Sequence, residues 1–372
     1  MSTLTLTAVI LVVYLFGMMF IGWLGRGTSQ NFEEFATAAK KGSLLMVTGS
    51  YLGSHIGSGV VVGGAENGAL YGIGGVWYGL GACLSYIVFA IVVAKKLYRS
   101  NSLTLSECLD KRYGGSITGT FFALINCGAA ISIMAGQIVA GRNLFEYVGI
   151  NPVIGSAACV VVVMIYASMS GQWGVMMTDV IQTAVVFFCT LVAVFWIFSA
   201  DGFPLMESVL PATDFQFFSM DMNTIVMNAV PTILFGMVSA SAFQRNISCK
   251  DEKTAVRSAF LGGVILIPYV FLPVLIGMYG RALFPDAPAG TIIFQVMLEV
   301  MPPVVGALMV AALCAAVMST VDSQLIYVST SITKDIYMKF IDHNPDNKKM
   351  ETLARIITVI AGALTLIVAL RA

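Results

Sequence analysis

The chain has 372 residues, of which 58% are hydrophobic and only 11% are charged, and its mean hydropathy is +0.88. Soluble domains carry about 25% charged residues, so this composition excludes a soluble globular protein and indicates an integral membrane protein. The formal net charge is zero, which argues against nucleic acid as a partner. The seven cysteines are odd in number and mostly lie in apolar runs, a pattern that does not fit a disulfide framework.

Ten apolar runs long enough to cross a bilayer follow one another along the chain. They predict spans at roughly 3–24, 43–70, 73–95, 116–145, 152–170, 174–199, 223–244, 256–280, 302–333 and 351–370. The first run lacks a basic N-terminal region and is about as long as a membrane helix, so we expect a retained span rather than a signal peptide. Residues 1–372 are therefore predicted to form a single transmembrane domain.

The basic residues predict the orientation of these spans. Seventeen of the 20 Lys and Arg residues, Arg245 among them, fall in four segments on one face of this topology: 25–42, 95–115, 245–257 and 334–355. Cytoplasmic loops carry an excess of Lys and Arg, so we expect this face to be cytoplasmic and both termini to lie outside. The sequence thus predicts a multi-pass protein of the inner (plasma) membrane with an external N-terminus.

Two carboxylates fall inside predicted spans, Asp179 in the sixth and Asp322 in the ninth. An ionisable side chain inside the bilayer is costly unless it is paired or hydrated, so it usually marks a substrate or ion pathway. Asp179 lies about five residues, or roughly 8 Å, from the cytoplasmic start of its helix. Asp322 lies in the cytoplasmic half of its own span, so the two carboxylates can face one site at similar depth.

The ninth span also carries hydroxyl groups with helical spacing. Ala316, Ser319, Thr320 and Ser323 lie at i, i+3, i+4 and i+7, which places them on one helix face, and Asp322 borders that face. Hydroxyl and carboxylate oxygens are the ligands that a hard cation prefers. Serine and threonine also bond to their own helix carbonyls or pack at small-residue crossings. The neighbouring carboxylate favours the ion site.

The second span contains nine glycines between Gly53 and Gly75, a density that weakens a helix. Backbone can unwind at membrane depth only where it lines a cavity or is buried in protein, and transporters aim the freed carbonyls at cations. A glycine-lined helix crossing is the other explanation for this density. His55 lies in the same stretch, where it is compatible with either a packed residue or a substrate contact.

The seventh span carries Pro231 and Gly236, which predict a second interruption. Interrupted second and seventh spans are five spans apart, which is typical of an inverted repeat. We therefore predict an extra N-terminal helix at 3–24, a first repeat at 43–199 and an incomplete second repeat at 223–370.

Four stretches of the chain resemble the sodium/solute symporter family, which includes sodium/proline, sodium/galactose and sodium/sialic acid cotransporters. They are the glycine-rich second span, SGQWGVMMTDVIQTAV (170–185), AFQRNISCKDEKTAVRSAF (242–260) and AAVMSTVDSQLIYVSTSITKDIY (315–337). The resemblance implies an all-α, polytopic bundle of the LeuT type built from inverted repeats, in agreement with the span pattern.

The resemblance also implies ion-binding residues, with sodium as the only metal ion and the only cofactor. The main sodium site would use the carbonyls of Gly53, Ile56 and Ala316 and the hydroxyls of Ser319 and Thr320. A second sodium site, present in part of the family, maps to Asp179, Ser319, Asp322 and Ser323.

Three features depart from the family pattern. The proline branch has a carboxylate where His55 aligns, which argues against proline as the solute. Sugar carriers have polar and aromatic residues in the seventh span where this chain has Pro231, Leu234 and Phe235, which argues against a sugar. The sequence ends after ten predicted spans, so we expect the last core helix to be missing, as in a fragment or a shortened relative.

The sequence therefore predicts a sodium-coupled symporter that imports a small organic solute, with the lipid bilayer as its other partner. An enzyme is not expected, because the sequence shows no nucleophile–His–acid set and no metal-binding cluster.

The residues expected to line the solute cavity are His55, Ser58, Tyr78, Gln137, Leu234 and Phe235. Such a lining has few donors and one imidazole, which favours an organic anion or an amino acid-like zwitterion over a sugar. A membrane-embedded solute sensor or input domain of the same fold, or an inactive truncated relative, remains the alternative.

Overall fold

The computed structural model describes residues 3–371, which fold into helices joined by short connections, with no β-strand in this range. The α-helices of the first half are α1 (Thr3–Leu24), α2 (Phe32–Thr37), α3 (Leu44–His55), α4 (Ser58–Tyr71), α5 (Val76–Val88), α6 (Lys95–Arg99), α7 (Leu105–Tyr113), α8 (Ile117–Val148) and α9 (Pro152–Ser199). The second half contains α10 (Gly202–Val209), α11 (Met222–Met237), α12 (Ala240–Ile247), α13 (Glu252–Tyr269), α14 (Phe271–Leu283), α15 (Ile292–Gln295), α16 (Pro303–Ser331), α17 (Met338–Phe340) and α18 (Asn347–Arg371).

Several of these helices are connected by tighter or wider helical turns. Short 3₁₀ segments lie at Ala38–Lys40, Gly72–Gly75, Ala212–Phe215 and Ala289–Thr291. π-helical segments lie at Phe89–Ala94, Val296–Val300 and Ile332–Tyr337. The first and last π segments join α5 to α6 and α16 to α17, so the helical path continues through them.

Within residues 3–371, seven continuous helices are long and apolar enough to cross a membrane, or eight if the bent pair α11 and α12 forms one span. The ten predicted spans exceed this number because continuous helical stretches join neighbouring spans. Ser58–Arg99 joins half of the second predicted span to the third, and Pro152–Ser199 contains the fifth and the sixth. The helix α3 has only 12 residues, too few to cross a bilayer alone.

The 48-residue helix α9 makes two passes rather than one. As a straight helix it would be about 72 Å long, more than twice the roughly 30 Å hydrocarbon core of a bilayer. Gly171 breaks it with φ 58° and ψ −152°, a conformation that favours glycine. The hydroxyls of Tyr166 and Thr178 lie 2.5 Å and 3.5 Å from the same oxygen of Asp322. Twelve residues of straight helix would separate them by about 18 Å, so the chain folds back at Gly171.

Two membrane segments are broken in the middle. Between α3 and α4, Ile56 has ψ 55° and Gly57 has ψ −172°, so the helix unwinds at these two residues. Between α11 and α12 the axes differ by 42° across Val238 and Ser239. The break in the second predicted span was expected, whereas the interruption predicted at Pro231 is wrong, because α11 continues through this proline.

Gly236, the other predicted interruption, is instead a packing position inside α11. A Cβ atom there would lie 2.3 Å from the Cβ of Ser85 in α5, so the absence of a side chain lets the two helices approach closely. The break in this segment begins after Met237, where Val238 leaves the helical conformation.

The helix α16 forms the centre of the protein. Within Pro303–Phe340, 83% of the most apolar 18-residue stretch is buried inside the protein. The corresponding fraction for Thr5–Leu24, at the periphery, is 22%. Many α16 residues are alanines with almost no exposed surface, and α9, α8, α1 and α3 pack around them. Small side chains allow close helix approach in a membrane, where packing rather than hydrophobicity drives association.

The α4–α14 crossing generates a prediction about Gly68. A Cβ there would lie 2.2 Å from the carbonyl oxygen of Val274, so we expect Gly68→Ala to separate the two helices and to destabilise the folded protein by about 1–3 kcal/mol. Gly63→Ala is the matched control on the same helix, because no atom lies within 4 Å of a Cβ at Gly63. Thermal unfolding in detergent should show a lower midpoint for Gly68→Ala only. Equal unfolding midpoints for both variants would contradict the close approach of α4 and α14 at Gly68.

Candidate functional site

The unwound segment between α3 and α4 packs directly against α16. The Ser319 hydroxyl donates to the Gly53 carbonyl at 2.8 Å and lies 3.1 Å from the Ala316 carbonyl. The Thr320 hydroxyl lies 3.3 Å from the same Ala316 oxygen. A Cβ at Gly57 would lie 2.5 Å from Thr320 Oγ1, so only glycine allows this approach. The structure thus brings Gly53, Ala316, Ser319 and Thr320 together, as predicted.

Ile56, the fifth residue predicted for the sodium site, lies at the break itself. It is 1% exposed and ends α3, where the last carbonyls of a helix have no partner within the helix. Carbonyl and hydroxyl oxygens at a buried position between two helices are the ligand types that hard cations take. The donor set therefore suits a sodium ion, with Ser319 and Thr320 turning their lone pairs toward it in place of their present carbonyl partners.

The residues predicted for a second sodium ion surround a buried arginine. Arg245 Nη2 lies 2.8 Å from Asp179 Oδ2 and 2.5 Å from Ser323 Oγ. Arg245 Nε donates to the carbonyl and the hydroxyl of Ser50 at 2.9 Å and 2.8 Å, and the Ser50 hydroxyl donates to Asp179 Oδ2 at 2.5 Å. Arg245 was predicted to lie in a cytoplasmic loop, and this is wrong, because it belongs to α12 and is fully buried.

Asp322 is the neighbour of Ser323 in α16 and is also fully buried. Its Oδ1 is 3.1 Å from Ser323 Oγ, and its Oδ2 accepts a hydrogen bond from Tyr166 at 2.5 Å. Charged groups at this depth are stable only with partners. Asp179, Asp322 and Ser323 are thus brought together as predicted, in a cluster whose cation is a protein side chain.

Beside the break lies a cavity of about 310 Å³, at the lower end of the range for small-molecule sites. Four of the six residues predicted to contact solute line it: His55, Tyr78, Gln137 and Phe235. The His55 ring packs on Tyr86 with the ring centroids 4.2 Å apart. His55 is thus a packed ring that also lines the cavity, and its contact with a solute stays a prediction.

The other two predicted contacts lie elsewhere. Ser58 begins α4, and its backbone N–H donates to Gln137 Oε1 at 3.0 Å, so it positions a cavity residue without lining the cavity. Leu234 is 58% exposed on the outer surface of α11 and does not line the cavity. The helical rotation of α11 places Phe235 in the cavity wall and Leu234 outside it, and a sequence does not define this rotation.

The cavity is more polar than the predicted lining. Hydroxyl and amide side chains that sequence reasoning missed also face it: Ser54, Ser132, Thr232, Ser239, Ser241 and Gln324. Thr320 of the ion site lines it as well. The expectation of few donors and an apolar wall from the seventh span is therefore wrong. The signal in the sequence was the run SAS at 239–241, which begins in the bend between α11 and α12.

Arg245, Ser50 and Tyr166 were also missed. The signal for Arg245 was a cation in the stretch SASAFQR, which lies close enough to a span to pair with a buried carboxylate. Ser50 and Tyr166 carry no such signal, because a lone serine or tyrosine in an apolar helix is common.

Comparisons with known proteins agree with this architecture. A model of the sodium:solute symporter family matches residues 35–372. The sodium/pantothenate symporter of Escherichia coli is 26% identical, over 96% of this chain and 77% of that protein. The sodium/proline symporter of Haemophilus influenzae is 27% identical, over 96% of this chain and 76% of that protein.

A solved structure extends the comparison to the fold. The substrate-bound, outward-open state of a Na⁺-coupled sialic acid symporter superposes with a TM-score of 0.85, covering 98% of this chain and 82% of that one at 18% identity. This likeness shows the LeuT-type fold that the sequence predicted. Since the family model accounts for nearly the whole chain and the same fold surrounds the site, the chain belongs to the sodium:solute symporter family.

Proposed function

We propose that this protein imports a small organic acid or zwitterion together with sodium, and that the two bind side by side at the break between α3 and α4. The observation that carries this proposal is the position of Thr320. Thr320 belongs to the predicted sodium site through its hydroxyl, and the same residue also lines the cavity of about 310 Å³. Ion and solute would therefore share one side chain and one stretch of unwound backbone, which is a direct route for coupling.

Sodium would bind to the carbonyls of Gly53, Ile56 and Ala316 and to the hydroxyls of Ser319 and Thr320. Bound there, it would hold the broken helix against α16 and favour the state that solute can enter. Inward movement of one sodium ion supplies about 2.3 kcal/mol per 100 mV of membrane potential, before the concentration gradient is added. A single ion is thus enough to drive appreciable accumulation of solute.

The charges around the cavity favour a solute with a carboxylate. None of the described residues that line it is Asp, Glu, Lys or Arg. The N-terminus of α4 begins at this cavity, with Gly57 and Gly59 in its wall, and a helix N-terminus attracts negative charge. Two of the relatives are symporters of pantothenate and proline, and both of these solutes contain a carboxylate. Because hydroxyls also line the cavity, a sugar is the competing solute that the experiment must test.

The orientation in the membrane follows from the basic residues. With Arg245 moved to the interior, 16 Lys and Arg residues remain in the four segments assigned to the cytoplasmic face. The excess on one face therefore persists, and we propose an external N-terminus in the inner (plasma) membrane. In the repeat assignment, α1 is the extra helix, and the two broken segments occupy equivalent positions of the repeats 43–199 and 223–370.

The first prediction of this proposal concerns sodium. Ser319→Ala and Thr320→Ala each remove one oxygen ligand of a buried cation, a change of about 1.5–3 kcal/mol, so the sodium concentration for half-maximal uptake should rise about tenfold or more. Uptake of candidate solutes into proteoliposomes under a sodium gradient measures this concentration.

Ser329→Ala is the matched control for this measurement. Ser329 is fully buried on the same helix, but its hydroxyl bonds only to the Ile326 carbonyl of its own turn. The sodium dependence of uptake by the Ser329→Ala variant should equal that of the wild type. If Ser319→Ala and Thr320→Ala also keep the wild-type value, sodium does not bind at this position.

The second prediction concerns the solute. In sodium buffer, small carboxylates and amino acid-like zwitterions should raise the melting temperature of the purified protein, because a ligand that binds only the folded state stabilises it. His55→Ala should abolish this stabilisation, since the His55 ring forms part of the cavity wall. Leu234→Ala is the control on the outer surface and should retain it. Stabilisation by hexoses alone would overturn the preference for a carboxylate.

A further inference from the structure

We propose that Arg245 is a built-in cation that fills the position predicted for a second sodium ion, so that the transporter binds one sodium ion. This inference rests on the proposed function, in particular on a sodium site at Ser319 and Thr320. It concerns a different residue, however, and can be measured without transport.

The guanidinium contacts the groups that would otherwise hold an ion. From α12 it reaches Ser50 in α3, Asp179 in α9 and Ser323 in α16, at distances of 2.5–2.9 Å. Its Nη1 donates to the Ser241 carbonyl of its own helix at 3.1 Å. Arginine keeps its charge in proteins, so this positive charge is permanent. An incoming sodium ion would have to displace it from both Asp179 Oδ2 and Ser323 Oγ.

The charges of the cluster leave room for one more cation. Asp179, Asp322 and Arg245 are all fully buried, and together they carry one net negative charge when both carboxylates are ionised. Asp179 Oδ1 is buried without a hydrogen-bond partner among the described residues. A sodium ion at the Ser319 site would balance this charge, whereas two sodium ions would leave a net positive charge in the membrane interior, which is unfavourable.

The sodium site lies directly beside the unbalanced charge. A Cβ at Gly53 would be 3.1 Å from the Cβ of Asp179, so the backbone that offers the Gly53 carbonyl to sodium packs against this aspartate. On the other side, Ser323 Oγ lies 2.9 Å from the Ser319 carbonyl. A sodium ion at Ser319 and the guanidinium of Arg245 would thus lie within one helix turn of α16. Together these two cations would balance the charges of the two carboxylates.

The fixed cation also connects the two broken segments. Arg245 lies on α12, the second half of the α11–α12 pair, and its partner Ser50 lies on α3, the first half of the other broken segment. A backbone bridge between Gly42 and Cys249 joins the same two segments, with Gly42 N–H donating to the Ser248 carbonyl at 2.9 Å. The halves α3 and α12 are therefore connected through both Arg245 and the backbone bridge, and sodium at the Gly53 carbonyl would bind to the same helix α3.

The experiment counts bound sodium on the purified full chain by equilibrium binding of ²²Na⁺ in detergent. The wild type should bind one ion per molecule, with a Hill coefficient of one. Arg245→Gln should raise the count to two and the Hill coefficient above one, since the two carboxylates then lack their fixed cation. The double variant Arg245→Gln/Asp179→Asn removes one charge of each sign and should return the count to one.

Arg281→Gln is the matched control, because Arg281 also bridges a carboxylate and a carbonyl, those of Asp214 and Ala69, but lies outside the cluster. It should leave the count at one. Two ions on the wild type, or one ion on a folded Arg245→Gln variant, would overturn the inference. If Arg245→Gln does not fold, the wild-type count and the double variant decide.

The same measurements separate the inference from the proposed function. One bound ion without sodium-driven uptake in proteoliposomes would leave the built-in cation standing and refute the symport. Sodium-driven uptake with two bound ions on the wild type would support the symport and refute the built-in cation. A wild type that binds no sodium would refute both.

Discussion

The contact between the unwound segment at Ile56 and Gly57 and the helix α16 is the feature on which the rest of the site depends. Unwound backbone in a membrane leaves carbonyl and amide groups without helical partners, and each must find another partner in the protein. Ser319 supplies a partner to the Gly53 carbonyl and Gln137 supplies one to the Ser58 amide, while Thr320 packs closely against Gly57. The groups that stabilise the break are therefore also the ones that can bind an ion and a solute.

This contact requires close approach, and small residues provide it. α16 presents alanine, serine and threonine to its neighbours. A side chain at Gly57 would collide with Thr320, and a Cβ at Gly53 would be in tight contact with Thr183 and Asp179. Glycine weakens a helix by about 1 kcal/mol per residue relative to alanine. Here the weakening permits a break at the candidate ion site and direct backbone contact with α16, which larger residues would prevent.

The arginine cluster places a second constraint on the same helices. A buried ion pair is a weak source of stability, because desolvation offsets most of the attraction, but removing one partner is destabilising by about 3–5 kcal/mol. Arg245 therefore fixes the relative positions of α3, α9, α12 and α16 more than it adds to overall stability. Just beyond the C-terminal end of α16, in the π-helical segment Ile332–Tyr337, the buried Asp335 accepts hydrogen bonds from Thr104 at 2.7 Å and Ser331 at 2.8 Å and attaches the segment before α7. Polar contacts thus hold the central helix at Ser323 and again at Ser331, and the candidate ion site lies beside the first of these contacts.

The sequence by itself determined the membrane class, the helical fold and the break at the second span, and it singled out the oxygens of the candidate ion site, because composition and helical spacing are local properties. It also identified Asp179 and Asp322 as buried charges. Only the tertiary structure decided that Arg245 pairs with Asp179, 66 residues away, and that Ser319 reaches Gly53 across 266 residues. It also decided that α9 folds back at Gly171 and that Phe235 rather than Leu234 faces the cavity. These features depend on helix rotation and on contacts between distant helices, which residue spacing within one helix does not specify.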